Sequence, residues 1–281
     1  MKNLLIIILG FTFSIAIAQR HEIGVFGGGA NVIGDIGRSN YINPMPVSYN
    51  SSKILDKLPM ALGVIYRFNF NSHMGVRFNG MYGKVIGNDK VAPEKYKKER
   101  GYSYKNSIIE GSLVFEYNFF DINNEDGKKH SPYIFGGIGA FMYNKNLYTV
   151  DHTFTRDPET GVITGTEFDP TTKISSRTEK ESNFVVPFGA GYKMRIKSNW
   201  IISAEVGFRY TQTDNIDHSF SNYNDFTFNA EPGLDENTIN SLNQRIIESR
   251  QVGNTSNYDW YVFTGLTLTY SFGRPPCYCD K

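Results

Sequence analysis

Apolar and polar residues alternate with a period of two in eight separate stretches of this chain. They cover approximately residues 22–33, 60–70, 73–84, 104–120, 132–144, 183–197, 200–211 and 258–272. Successive side chains of a strand point to opposite faces of the pleat, so each stretch predicts a strand. In the second, Leu62, Val64, Tyr66, Phe68 and Phe70 share a face opposite Gly63, Arg67 and Asn69. In the fourth, Ile109, Leu113, Phe115, Tyr117 and Phe119 oppose Glu110, Ser112, Glu116 and Asn118. In the seventh, Ile202, Ala204, Val206, Phe208 and Tyr210 oppose Ser203, Glu205 and Arg209. In the eighth, Trp260, Val262, Leu266, Leu268, Tyr270 and Phe272 oppose Thr267, Thr269 and Ser271.

The same alternation would suit a soluble sandwich with its apolar face inward, and the connections separate the two readings. Long links near 34–58, 85–103, 145–182 and 212–257 alternate with short ones at Asn71-Ser72, 121–131 and Ser198-Asn199. Short periplasmic turns alternating with long extracellular loops are the pattern of outer-membrane barrels, and an even strand count leaves both ends of the barrel in the periplasm. The expected fold is therefore all-β: an eight-stranded antiparallel transmembrane β-barrel, apolar outward and polar inward. Phe70, Phe119, Phe120, Tyr133, Trp200 and Phe272 fall at its periplasmic end, and Tyr82, Tyr104, Tyr143, Tyr210 and Tyr258 at its outer end. Two such groups predict aromatic girdles at the lipid–water interfaces.

Composition changes this picture in three places. Lys2, an apolar core over residues 4–17 and the Ala16-Ile17-Ala18 site read as a signal peptide, residues 1–18. The expected organisation is then signal 1–18, barrel 19–272 and periplasmic tail 273–281. Without Lys2, the 29 basic residues become 28 against 28 acidic ones. Such a neutral chain lacks the positive field of a general nucleic-acid binder. The mean hydropathy of −0.37 would mark a soluble protein, but averaging over both faces of a barrel hides its lipid side. Two loops carry helix signals: residues 93–101, with Pro93 opening and Gly101 closing, and a segment capped by Asp235 with Leu234, Ile239, Leu242 and Ile246 on one side.

Candidate chemistry is sparse. Arg67, Arg77, Glu110, Glu116, Lys193, Arg195, Glu205 and Arg209 fall on the inward face. An eight-stranded barrel is just wide enough for its side chains to fill it, so these charges are expected to pair as a structural plug rather than line an ion path. Asp151-His152, Asp217-His218 and His130-Ser131 are the pairs a hydrolase would need at a barrel rim. Sequence neighbours rarely orient one another as a triad requires, and no enzyme is expected. Asp121, Asn123, Glu125 and Gly127 resemble a calcium loop, but the Gly is one place late and Pro132 stands where the closing Glu belongs. No cofactor and no metal are expected.

The stretch HEIGVFGGGANVIGDIG (residues 21–37) resembles the first strand and G-D-I-G turn of the PorG-like outer-membrane barrels. YRFNFNSHMGVRFNGMYGKVIGND (66–89) resembles their second hairpin, and SPYIFGGIGAFMYN (131–144) their fifth strand. The resemblance covers the first half of the mature chain. It implies an outer-membrane lipid environment and a role in the type IX secretion system, holding a periplasmic lipoprotein-containing ring against the membrane. It supplies no catalytic residues. Two other functions compete: a surface adhesin or receptor using the third and fourth loops, and a rim hydrolase depending on His152 or His218.

The tail carries its own expectation. Pro275-Pro276 cannot extend a strand ladder, so the chain leaves the sheet there, with Cys277 and Cys279 in an oxidising compartment. Residues two apart in an extended chain lie about 6.5–7 Å apart, so a bond between these two would be strained and reducible. An unstructured tail with that bond, a metal site with only two ligands, and a disulfide to a periplasmic partner all remain open. Exposed thiols are the ones that exchange, which favours the intermolecular tether. Non-reducing gels should then show a higher-mass band that collapses on reduction and is lost in Cys277→Ser/Cys279→Ser. A native chain that runs only as a monomer, with thiols trapped before lysis, overturns the tether.

Overall fold

The computed structural model describes residues 20–38, 42, 58–123, 127–152, 157–161, 173–197, 199–230, 236–254 and 256–273. The expected signal segment, Asp235, and the tail with Cys277 and Cys279 lie outside them.

Among the described residues nine strands form: β1 (Arg20–Ile33), β2 (Met60–Asn69), β3 (Met74–Asn88), β4 (Ser103–Asn118), β5 (His130–His152), β6 (Lys173–Arg195), β7 (Trp200–Thr211), β8 (Phe226–Ala230) and β9 (Trp260–Phe272). Eight of them close a ring of antiparallel neighbours in the order β1-β2-β3-β4-β5-β6-β7-β9, with β9 returning to β1. Closure removes every edge within the membrane-spanning part, so each backbone N–H and C=O there finds a ladder partner away from water. β8 is outside the ring and pairs in parallel with the outer end of β5.

The barrel is inside out relative to a soluble protein. Leu113 is 51 % exposed, whereas Arg67 is 0 % exposed. Val25, Leu62, Val64, Phe78, Ile138, Phe184 and Leu266 also face outward, while all eight charged residues expected inside are buried. An apolar belt of this extent would not remain exposed in water, and it matches the lipid-facing band of an outer-membrane barrel.

Several sequence expectations need correction. Tyr104, Tyr133 and Tyr143 do not join the lipid girdles. They share the inward parity of Asn106, Ser131 and Phe141 and are buried in the lumen. Phe70, Tyr82, Phe119, Trp200, Tyr258 and Phe272 do face outward at the expected ends. Val262 has outward parity but is buried opposite Phe208. The interior of the outer half is apolar rather than polar, filled by Phe26, Ile65, Met81, Val85, Ile108, Phe141, Tyr261 and Phe263. The third loop is largely strand, because β5 and β6 stay paired out to Asp151↔Lys173. That extension stands clear of the lipid, so its sequence has no lipid-facing side to set against a packed lumen.

The two loop helices are α1 (Lys95–Arg100) and α2 (Glu236–Arg250). Glu94 rather than Pro93 borders the start of α1, and Gly101 closes it in the left-handed conformation with φ 71°. α2 lays Ile246 and Ile247 against Val150 and Phe226, giving the extended hairpin and β8 a small core of their own.

Placing Arg at position 113 puts a charge in hydrocarbon near the middle of β4, at a cost of about 2–4 kcal/mol. Leu113→Arg should lower folding stability in bilayers by that amount, read by urea titration of the heat-modifiable gel shift. Ser112→Arg, one residue away and inward, should instead disturb the Ser112–Glu110 bond. An unchanged midpoint for Leu113→Arg would reverse the assignment of the faces.

Candidate functional site: the sealed lumen and the outer-loop hub

Every ring strand contributes to one polar network at the short-turn end of the lumen. Glu116 on β4 is the centre: Arg67 Nε lies 2.6 Å from it, Lys193 Nζ 2.9 Å and Arg77 Nη1 3.4 Å. Arg67 also pairs with Glu22 on β1, which accepts from Asn69 and from Thr269 on β9. Arg77 reaches Glu205 on β7 at 2.6 Å, and the Tyr133 hydroxyl of β5 donates to the same carboxylate at 2.6 Å. Three cations therefore meet three carboxylates, and the burial of each charge is offset by an opposite one. Arg77 and Lys193 further cover the rings of Phe135 and Tyr133. One layer outward, Arg209 and Glu110 form a second balanced pair at 3.2 Å, with Tyr261 and Ser112 donating to Glu110. The apolar cluster then fills the lumen above. Charged layers at one end and apolar side chains at the other thus fill the lumen.

Seven of the eight inward charges expected from sequence thus do pair. Arg195, the eighth, donates to the carbonyl of Ile122 in the turn after β4. Glu22 is absent from the set expected from sequence, although its place between the outward Ile23 and the strand start gives it the inward parity. The Asp121 turn serves structure: Asp121 Oδ1 accepts from Lys128 N, and Asn123 Nδ2 donates to the Asn71 carbonyl. Glu125 lies outside the described residues.

At the outer end, residues 34–37 (Gly-Asp-Ile-Gly) form the hub of three loops. The N–H groups of Asp35 and Ile36 donate to Asp217 Oδ2 at 2.7 and 2.9 Å. Gly37 N–H donates to Asp89, Lys97 Nζ to the Gly37 carbonyl, and Arg100 to both Asp89 and the Asp35 carbonyl. A Cβ at position 34 would sit 2.5 Å from Asp259 Oδ1 and 2.6 Å from Asp217 Oδ2, so only Gly fits. Gly37 holds φ 89°, where a side chain is strained.

Carboxylates crowd this hub. Burial, then the charges of Asp217 and Asp35, push Asp214 up to about 7. Burial and Asp217 raise Asp35, while burial, Asp217 and Asp214 hold Asp259 well above the carboxylate range. Asp89 is the exception: against its burial, the Arg100 guanidinium and the Gly37 and Tyr102 amides hold it low.

The His-containing pairs are not arranged as catalytic pairs. His152 Nε2 bonds Asn243, while Asp151 accepts from Asn229. Asp217 is occupied by the backbone of Asp35, Ile36 and Ser219, and the His218 ring lies edge-on to Tyr104. His130 Nδ1 bonds the Tyr192 hydroxyl, and Ser131 Oγ donates to the Pro132 carbonyl.

A closed ring of eight antiparallel strands, a plugged lumen and a lipid-facing apolar belt define an integral outer-membrane β-barrel. The chain belongs to the family described as Domain of unknown function (DUF6089), whose model matches residues 1–281. No curated protein matches it. Among solved structures it is similar to a major outer-membrane protein from Thermus thermophilus, with 13% identity over 91% of this chain and 100% of that one, at a TM-score of 0.42. It is similar also to Ail, the attachment invasion locus protein of Yersinia pestis, with 12% identity, the same coverages and a TM-score of 0.39. OprG from Pseudomonas aeruginosa matches with 9% identity over 92% of this chain and 100% of that one, at a TM-score of 0.38.

The raised carboxylates give the hub a pH dependence. A closed hub that binds protons more tightly than separated loops is most stable below the ordinary carboxylate range and loses that stability as pH rises through the closed-state value, about 7 for Asp214. Limited proteolysis of loop 212–259 should accelerate between pH 6 and pH 8.5 in the wild type relative to Asp214→Asn measured at the same pH. A wild-type to variant ratio that does not change with pH would remove the carboxylates as the cause.

Proposed function

We propose that this protein is a non-catalytic, membrane-embedded attachment point for a periplasmic assembly, the lipoprotein ring of the type IX secretion system. The observation that carries the scaffold reading is the sealed lumen: a barrel filled by two balanced charge layers beneath an apolar plug offers rigidity rather than passage. The short-turn face supports the same reading, because its connections are braced against one another. Asn123 ties the turn after β4 to Asn71, and Arg195 with its backbone N–H ties the end of β6 to Ile122 and Lys129. Ser271 N–H reaches Asn199. Lys128, Lys129 and Lys197 stand exposed on this face beside Asp121, a set of mixed charges for a partner surface to meet. The secretion ring itself rests on the resemblance of residues 21–37, 66–89 and 131–144 to PorG-like barrels.

A surface receptor is the second reading. It draws on the outer module of β5, β6, β8 and α2, whose private core around Val150, Phe226, Ile246 and Ile247 gives the loops a fixed shape to present.

Photo-crosslinking amino acids at Lys128 and Lys197 should capture a periplasmic lipoprotein in the native host, while one at the exposed Tyr223 should not. Capture at Tyr223 of an extracellular molecule, with none at 128 and 197, would favour the receptor and overturn the scaffold.

A further inference from the structure

The barrel wall divides at its outer end. β4 remains on β3 up to Asn88↔Ser103, and β5 remains on β6 up to Asp151↔Lys173, but the β4–β5 ladder stops at Ile109↔Met142. Just above that pair Asn106 acts as a wedge. Its Nδ2 donates to the carbonyls of Asn144 (2.9 Å) and Ile216 (2.8 Å), and its Oδ1 accepts from Asn144 N–H at 3.0 Å. Beyond the wedge the two strands part around a cavity of about 780 Å³.

The lining is mixed in a particular way. Tyr102 and Lys105 come from the β4 side, Asn146, Tyr148 and Thr178 from the extended hairpin, and Arg250 from the end of α2. The Arg250 guanidinium lies 5.4 Å over the Tyr148 ring, which also stacks on Phe226 at 5.0 Å, so the cation is held in place at the cleft. Thr178 and Asn146 offer short neutral groups that both donate and accept, 3.4 Å from each other. Short groups that donate and accept suit the hydroxyls of a sugar, and two cations suit a phosphate on it. At the inner end His218 holds φ 61°, an uncommon conformation for a residue other than Gly, and its buried Nδ1 has no hydrogen-bond partner among the described residues. Asp217 is also there, but three backbone N–H groups already occupy its oxygens.

Height decides the source of the sugar. Ile109 and Met142, both exposed, mark the top of the apolar belt on this seam. Lys105 stands four residues farther along β4, about 10 Å higher for a strand rising ~3.4 Å per residue at a tilt of ~40°. That is just past a headgroup layer about 5–7.5 Å deep, and the Lys105 side chain is long enough to reach down into it. Directly below the cleft the seam continues as the outward pairs Gly111↔Ala140 and Leu113↔Ile138. Gly111 has open space where a Cβ would lie, so the small pair leaves a trough between larger apolar neighbours. We propose that this cleft seats the phosphorylated sugar headgroup of an outer-leaflet glycolipid, with an acyl chain running down the β4–β5 seam.

The test uses the full mature barrel in nanodiscs, with native mass spectrometry counting retained lipid. The probe is lipid A, a phosphorylated, acylated glucosamine disaccharide, and phosphatidylglycerol is the anionic control without a sugar. Wild type should retain one lipid A in preference to phosphatidylglycerol. Retention should fall at least tenfold in Lys105→Glu/Arg250→Glu and in Thr178→Trp, which fills the cleft without changing its charge, while the heat-modifiable gel shift confirms that both variants fold. Equal retention by wild type and variants overturns the site, and equal retention of phosphatidylglycerol overturns sugar recognition. Deacylated lipid A headgroup competing as well as intact lipid A would overturn the lipid source in favour of a free saccharide.

Discussion

The structure depends on neutralising charge inside a closed barrel. Glu116 alone meets Arg67, Arg77 and Lys193, and these reach Glu22 and Glu205 on other walls. Removing one partner from such a buried pair leaves an uncompensated charge, a loss of about 3–5 kcal/mol, whereas an exposed pair contributes at most about 1 kcal/mol. Because the partners come from all parts of the ring, the network also fixes which strands face one another across the lumen. Shifting one strand by a single residue would turn its charge into lipid. The ladder determines closure, and the charges determine register.

This constraint explains the difference between the two ends. The short-turn end has charge inside and tight turns outside, so its backbone is held from both directions. At the outer end the lumen is apolar, and order comes instead from the Gly34–Gly37 turn, which gathers Asp89, Lys97, Arg100 and Asp217. Its carboxylates are only partly compensated, unlike those of the lumen, and so the outer loops respond to pH where the barrel interior has paired charges.

Legibility from sequence followed the solvent boundary. Where one face of a strand meets lipid and the other a packed lumen, alternation is strong, and the eight ring strands were readable, as was the inward set from Arg67 to Arg209. Past the membrane β5 and β6 have no lipid face, the pattern vanishes, and their outer extensions, 145–152 and 173–182, read as loop. Inward apolar residues such as Ile65, set between Val64 and Tyr66, blur the alternation and hid the apolar half of the lumen. The hub was out of reach for another reason: Asp35 and Asp217 are 182 residues apart, and no local spacing announces their bond. The G-D-I-G stretch could be noticed as a motif, but its steric need for Gly34 appears only when Asp217 and Asp259 are in place.

The lumen and the seam between β4 and β5 then divide two tasks that a small barrel cannot perform in the same space. Eight strands leave no room for both a stabilising core and a ligand inside the ring. Here the interior is fully committed to the core, so recognition has to occur on surfaces the core supports. The short-turn face is one, its turns braced against one another. The wall itself is the other, because β4 stays on β3 and β5 stays on β6 while the two strands part from each other above Ile109↔Met142. Asn106 limits that gap by replacing the lost backbone bonds with side-chain ones. What stands above Asn106 is therefore not a defect of closure but the place where so tightly packed a barrel can open a cavity toward the lipid layer without weakening its charged centre.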